Sequence, residues 1–170
     1  STQRRGAWGE RMAEDVLRLA GLQEGVNYVK QSAAAAESGK PDFTFFLPNE
    51  LKVNMDVKFP LESYKAVVDA EGEEQRSAAT RQLVAAVRKH VRDVAGRGYI
   101  DPAGTVPYVI VFVPSEPVYG LTLESCPDLI DEALAMRVVL ASPLTLFALL
   151  AVVRQAAESA NLMRTADEVL

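Results

Sequence analysis

The sequence predicts an α/β fold, a mixed central sheet flanked by helices, and three patterns predict it. Leu51 to Phe59 alternates without a break, apolar at odd positions and polar at even ones. Tyr108-Val109-Ile110-Val111-Phe112-Val113 is an unbroken apolar run, fit for a strand buried on both faces. Residues 77–97 repeat Val84, Val87, Val91 and Val94 at helical spacing. The chain has 170 residues, a length that predicts one domain, with a core over about residues 6–160.

Taken in order, residues 4–20 read as a helix with Trp8, Met12, Val16 and Leu19 as its apolar side, stopped at Gly21. Gly6 and Gly9 stand near its start. A helical glycine costs about 1 kcal/mol against alanine, so they imply a close approach by another helix or a ligand, or else a helix that begins only at Gly9. Asn27 to Gln31 reads as a first strand and Ala33 to Gly39 as a mobile loop. Asp42 opens the strand Phe43 to Leu47. The short link Pro48-Asn49-Glu50 makes it one arm of an antiparallel hairpin ending at Phe59. A helix over Leu61 to Asp69, an acidic loop Glu71-Gly72-Glu73-Glu74 and the long helix follow. After the apolar strand come a helix over Asp128 to Met136, a strand over Arg137 to Ala141, and a helix begun at Ser142 with Pro143 at its first position. It closes near Ala160, leaving a helical or frayed tail to Leu170.

Composition narrows the chemistry. Apolar content of 49% and charged content of 24% are those of a soluble globular protein. The single cysteine, Cys126, forbids an internal disulfide and predicts a reducing, cytoplasmic setting. One histidine, His90, excludes a multi-histidine metal site, one cysteine excludes a zinc cluster, and a hard, oxygen-ligated ion such as Mg²⁺ or Mn²⁺ stays compatible with the composition. No signal peptide is legible. The longest uncharged run, Val138 to Val153, is too short to span a bilayer, so no membrane contact is expected of this domain.

The alternation decides where the polar groups of the hairpin point. Side chains two apart share a strand face, so Lys52, Asn54, Asp56 and Lys58 project together while Val53, Met55 and Val57 enter the core. Asp56-Val57-Lys58, with Asp42 on the neighbouring strand, can hold a divalent ion and a water, the apparatus of phosphodiester cleavage. The same residues also make an ordinary solvated ion pair. Glu10 on the first helix can add a third carboxylate. His90 as a general base has no carboxylate partner on its own helix, and nothing orients a Cys126–His90 nucleophile pair. Glu14, one turn from Glu10, reads as a surface residue. Residues 76–98 carry Arg76, Arg81, Arg88, Lys89, Arg92 and Arg97 against Asp93 alone, in a chain of net charge −5. Arg81, Arg88 and Arg92 fall on one line of the helix. The strip reads either as a contact for nucleic-acid phosphates or as a solvated face.

The sequence also resembles a known family. Gly6-Ala7-Trp8-Gly9-Glu10, Gly21-Leu22, Tyr28, Gln31, Pro41-Asp42, Asp56-Val57-Lys58 and Pro60-Leu61 are similar to the RmuC family. So are His90-Val91, Tyr99, Phe112-Val113-Pro114-Ser115-Glu116 and Ala141-Ser142-Pro143-Leu144-Thr145-Leu146. These run in order from residue 6 to about 150. The resemblance implies a restriction-endonuclease-like, PD-(D/E)XK fold and a Mg²⁺- or Mn²⁺-dependent DNA nuclease core in bacterial DNA recombination and genome maintenance. Longer members carry a membrane anchor and a coiled coil, through which they would oligomerise, and this chain resembles the trimmed core. Carried over, Asp42 and Asp56 become metal ligands, Glu10 a further ligand or water-positioning group, and Gln31 a neighbour of the metal. Lys58 orients or activates the attacking water, or stays charged and stabilises the transition state. Arg97-Gly98-Tyr99 departs from the family pattern, in which a lysine precedes the tyrosine. The alternative to an enzyme is a DNA-binding or assembly module with the same fold.

Overall fold

A five-stranded sheet organises the chain, in the spatial order β1-β2-β3-β4-β5. The computed structural model describes residues 2–31 and 39–169. The expected loop from Ala33 lies outside them up to residue 38. The strands are β1 (Tyr28–Lys30), β2 (Phe43–Phe46), β3 (Lys52–Val57), β4 (Thr105–Phe112) and β5 (Val138–Ala141). β1, β2 and β3 pair antiparallel, whereas β3, β4 and β5 pair parallel, so the sheet is mixed. The helices are α1 (Thr2–Leu19), α2 (Leu61–Val68), α3 (Glu73–Ala95), α4 (Glu116–Ser125), α5 (Leu129–Ala135) and α6 (Pro143–Val169). Among the described residues no helix is long and apolar enough to cross a membrane.

β4 explains the layering. Ile110 and Phe112 join Ala13, Leu17, Phe43, Phe45, Met55, Leu146 and Leu150 in a core beneath α1 and α6. Val109 and Val111 point the other way, into a core with Val87, Val91 and Val94 of α3 and Leu129 of α5. A strand buried on both faces needs the continuous apolar run seen in the sequence. β3 divides differently. Val53 and Met55 enter the α1–α6 core, so Asn54 and Asp56 face α3. The polar face of the hairpin is therefore roofed by a helix, not open to water. Asp56 is only 4% exposed.

Several expectations change. The buried side of α1 is Ala13, Val16, Leu17 and Ala20, while Trp8 and Leu19 are 44% and 77% exposed. Val16 keeps its expected place, but the buried phase is set by Leu17 with Ala13 and Ala20, where the helix lies close to the sheet. Gly9 shows this: a Cβ there would stand 3.0 Å from Val57 Cγ1, so the close approach is to β3, not to a helix or ligand. Gly6 meets nothing. Glu73 and Glu74 are not loop but the first turn of α3, where carboxylates complement the helix dipole. α4 has a poor apolar period and was not expected. Its one clear signal is Ser115, whose side chain caps Val118 N–H ahead of a proline in the first turn. α6 does not close near Ala160 but continues to Val169, exposed along most of its second half.

Candidate active site

The parallel strands β3 and β4 end side by side, and Asp56, Lys58 and their neighbours sit at this carboxyl end, where open α/β sheets place ligands. Asp42, just before β2, and Asp56 are locked together through the backbone. The Val57 N–H donates to Asp42 Oδ2 at 2.8 Å, and the Asp42 N–H donates to Asp56 Oδ1 at 3.2 Å. The hairpin register thus fixes two carboxylates next to each other through main-chain N–H donors.

Two carboxylates buried together resist ionisation. Burial, then the charge of Asp42, pushes Asp56 up to about 6, against the hydrogen bond from Asp42 N–H and the charge of Arg97. Burial also raises Asp42, opposed by the Val57 N–H and Arg97. Glu10 reaches the same neighbourhood from α1: burial raises it first, and the charge of Asp42 adds to the shift. Gln31 lies beside the pair through its backbone, its N–H donating to the Asp42 carbonyl oxygen at 2.9 Å. Glu14 takes Lys30 of β1 at 2.6 Å, an ion pair between α1 and the sheet edge. Among the described residues no three His, Cys, Asp or Glu side chains gather into a ready-made metal cage.

Two residues missed as site members complete the picture. Arg97 donates from Nη1 to Asp56 Oδ2 at 2.5 Å and is the one guanidinium on the carboxylate pair among the described residues. It hangs from the turn after α3, where Gly98 has φ +73 and so redirects the chain at no steric cost. Asn54 holds that turn in place. Its Nδ2 donates to the Tyr99 carbonyl oxygen at 2.8 Å, and its Oδ1 accepts from Thr44 at 2.7 Å. His90, on the sheet side of α3, has Asp93 one turn on in its own helix and meets a second carboxylate across the sheet, where Nε2 stands 3.9 Å from Asp56 Oδ2. That is no hydrogen bond, and Nε2 is buried without a partner. Burial, then the positive charge of Lys58, holds His90 down at about 4, so the imidazole is neutral. Lys58 and His90 share a cleft of about 420 Å³ with Arg5, Phe59, Ser63 and Ala86.

The arginine line lies elsewhere. At about 100° per residue, His90 is roughly 180° around α3 from Arg81, and Arg88 and Arg92 follow Arg81 within about 20°. That side borders a second groove, of about 670 Å³, between α3 and α4. Arg76, Arg81 and Arg88 line it, but so do Glu73 and Glu124. Arg88 donates to Glu132 of α5 at 2.8 Å and to Cys126 Sγ at 3.3 Å. The strip is thus on the far side of α3 from the carboxylates, with one of its three arginines already paired.

The RmuC family model matches residues 1–170. Over 171 aligned positions the chain is 34% identical to the DNA recombination protein RmuC of Escherichia coli, covering 95% of this chain and 36% of that protein. It is 32% identical to the RmuC homolog of Pseudomonas aeruginosa, covering 95% and 38%. To the Vibrio cholerae homolog it is 33% identical over 149 residues, covering 85% and 29%. The chain therefore spans about a third of the length of these curated relatives. No solved structure matches it.

Proposed function

The chain belongs to the RmuC family, and from that premise we propose that it is a metal-dependent DNA nuclease core with a restriction-endonuclease-like fold, working in DNA recombination. Relatives at about a third identity are named DNA recombination proteins, which supports the setting. The observation that carries the chemistry is the Asp42–Asp56 pair, held by reciprocal backbone bonds at the carboxyl end of β3 with Lys58 two residues on.

The donor set fits a hard divalent ion. Buried Asp56 and half-buried Asp42 repel each other and are only partly neutralised by Arg97, and Asp56 stands near an imidazole nitrogen that lacks a partner. Asp42 and Asp56 would hold the ion, with Glu10 as a further oxygen donor. Bound there, Mg²⁺ or Mn²⁺ neutralises charge on the scissile phosphate and lowers the pKa of a water. The protein does the rest by position. Lys58 projects into the cleft where a phosphate oxygen or the attacking water sits, and its ammonium stabilises the charge that develops there. Asn54 and Gly98 set the turn that aims Arg97 at Asp56; released from that carboxylate, its fork matches a phosphate. Arg81 and Arg92, across α3, offer phosphate contacts to a second stretch of backbone.

One observation favours a rival reading, a DNA-binding module without cleavage: Arg97 already occupies the Asp56 oxygen. Thermal melts in EDTA and in millimolar Mg²⁺ or Mn²⁺ separate the two. Ligand binding stabilises by about 2.7 kcal/mol at a hundred times Kd. The melting temperature should rise with metal, the rise should vanish in Asp56→Asn, and the same metal should support cleavage of DNA. Superimposable melts with DNA binding intact would establish the rival.

A further inference from the structure

We propose that Trp8, leaning on Phe59, is a stacking platform for an unpaired nucleobase, so that the site takes DNA with a single-stranded stretch or a frayed end in preference to closed duplex. This rests on the DNA-acting reading above and names the substrate class of the same cleft.

Trp8 is 44% exposed, although tryptophans are highly buried on average. Its neighbour Gly9 lies buried on Val57 of β3, so the backbone that carries the indole is clamped to the sheet. Phe59 supports the ring, with centroids 4.8 Å apart and planes tilted by 44°. The surface around it is low. Gly6 and Ala7 are exposed, and a Cβ on Gly6 would meet no atom within 4 Å. A single exposed apolar side chain is ordinary on a protein surface. An indole held on a second ring at the edge of the Lys58 cleft is a different matter.

Phe59 lines that cleft of about 420 Å³ together with Lys58, Arg5 and Ser63. Arg5, tied to Glu62 at 2.7 Å, stands one turn before Trp8 on α1, so the side of the helix that bears the indole also borders the cleft. Lys58 and Phe59 are consecutive, with Cα atoms about 3.8 Å apart. A phosphate at Lys58 and a base laid on Trp8 therefore belong to one short stretch of strand.

Charge makes such a contact useful. The chain carries −5, and Glu10 and Asp42 act on each other close by, so ionic attraction alone is a poor grip on DNA here. Stacking is indifferent to that charge. Bases inside a duplex have both faces covered by their neighbours. An unpaired or terminal base offers a face, and an aromatic side chain takes it whatever the base.

Trp8 is the sole tryptophan of the chain, so indole fluorescence reports this ring alone. The chain is titrated in EDTA, which keeps the DNA uncut, with a thymidine single strand, an abasic strand of the same length, a blunt duplex and a duplex with an unpaired end. Anisotropy of labelled DNA is followed alongside. The single strand and the open-ended duplex should quench the indole, and the abasic strand and blunt duplex should leave it bright. Trp8→Ala should weaken binding of the single strand by about fivefold or more. It should leave affinity for the abasic strand and the slope of log K against log salt unchanged, because stacking releases no counterions. Trp8→Phe should restore most of the loss. A single strand that binds wild type and Trp8→Ala equally, with the indole unquenched, would overturn the platform and leave the nuclease reading to metal-dependent cleavage. Fluorescence that follows protein concentration instead of DNA would give the ring to a second copy and overturn it as well. Quenching and the Trp8→Ala loss without any cleavage in Mg²⁺ or Mn²⁺ would support the platform and sink the nuclease reading. No binding of any of the four DNAs would overturn both. The wild-type quench decides the matter even if Trp8→Ala fails to fold.

Discussion

The two sides of α3 carry charge in opposite conditions. Toward the sheet, Asp56 is buried and pushed up to about 6, and His90 is held down at about 4 with a nitrogen that bonds to nothing. Toward α4 and α5, Arg88 reaches Glu132 at 2.8 Å and Arg81 rests on Ser77 at 2.9 Å, close to solvent. The sheet side meets its charge only in part, through Arg97 and a backbone N–H, and the other settles it locally. Packing alone selects for the second arrangement. The first is costly and persists where a ligand completes it.

The largest effect that bears on this contrast is at Lys58. If the sheet side is the reactive one, Lys58→Ala should lower metal-dependent DNA cleavage by about 10² to 10⁴ while leaving DNA affinity and melting temperature near wild type. Lys52→Ala is the control, on the same strand face but exposed, far from Asp56 at the other end of β3. Asn54 cannot serve, since it anchors both Thr44 and the Tyr99 turn. Single-turnover cleavage and a melt read both quantities. Should Lys58→Ala unfold the domain, the lysine belongs to the structural side of the comparison.

A second test uses pH without metal. Asp56 ordinarily titrates at 3.8, and its folded value of about 6 means the neutral form is favoured in the fold. Its contribution is fully present below 3.8 and is lost as pH rises through 6. His90 has the opposite sign: from an ordinary 6.5 it falls to about 4, so its contribution is present above 6.5 and is lost as pH falls through 4. Each shift corresponds to about 3 kcal/mol at most. Between pH 4 and 6 the two slopes oppose, with the raised Asp42 and Glu10 adding to the carboxylate side. Wild type should therefore melt with a shallower pH dependence there than His90→Leu. Relative to wild type, Asp56→Asn should shift toward losing stability on acidification, and His90→Leu toward gaining it. Parallel curves for all three proteins would show that neither group is strained.

Much of this site was legible in the sequence, because strand alternation is local. The period of two in β3 places Asp56 and Lys58 on one face, and a hairpin turn brings Asp42 across from them. The apolar runs of β4 and α3 are likewise local patterns. What the sequence withheld is what comes from far away. Arg97 meets Asp56 across 41 positions, and His90 meets it from a different helix across the sheet. No periodicity reports such a meeting. The phase of α1 departs from its apolar pattern for a related reason: Gly9 lets the helix sink onto Val57, and Ala13, Val16, Leu17 and Ala20, not Trp8, define the buried side. The arginine strip was correct as a line on a helix, yet the line alone could not say which side of α3 faced the carboxylates.

That strip gives the smallest and most discriminating test. Arg81, Arg88 and Arg92 look equivalent in sequence, but the structure divides them. Arg88 is hydrogen-bonded to Glu132 and Cys126, whereas Arg92 acts on Glu132 through its charge alone and Arg81 meets the Ser77 hydroxyl. A phosphate contact releases counterions, so each one lost flattens the slope of log K against log salt by about 0.9 on duplex DNA. Arg81→Ala and Arg92→Ala should each do so. Arg88→Ala should leave the slope as it is and instead lower the melting temperature slightly, because it leaves Glu132 without its partner. Binding titrations at four or more salt concentrations, with a melt for each variant, separate these outcomes. Three unchanged slopes would make the whole strip a solvated face, and the nucleic acid would then be held by the Lys58 side alone. A flattened slope in Arg88→Ala would mean that DNA draws this arginine from Glu132, and the far side of α3 would have to be counted as unmet as well.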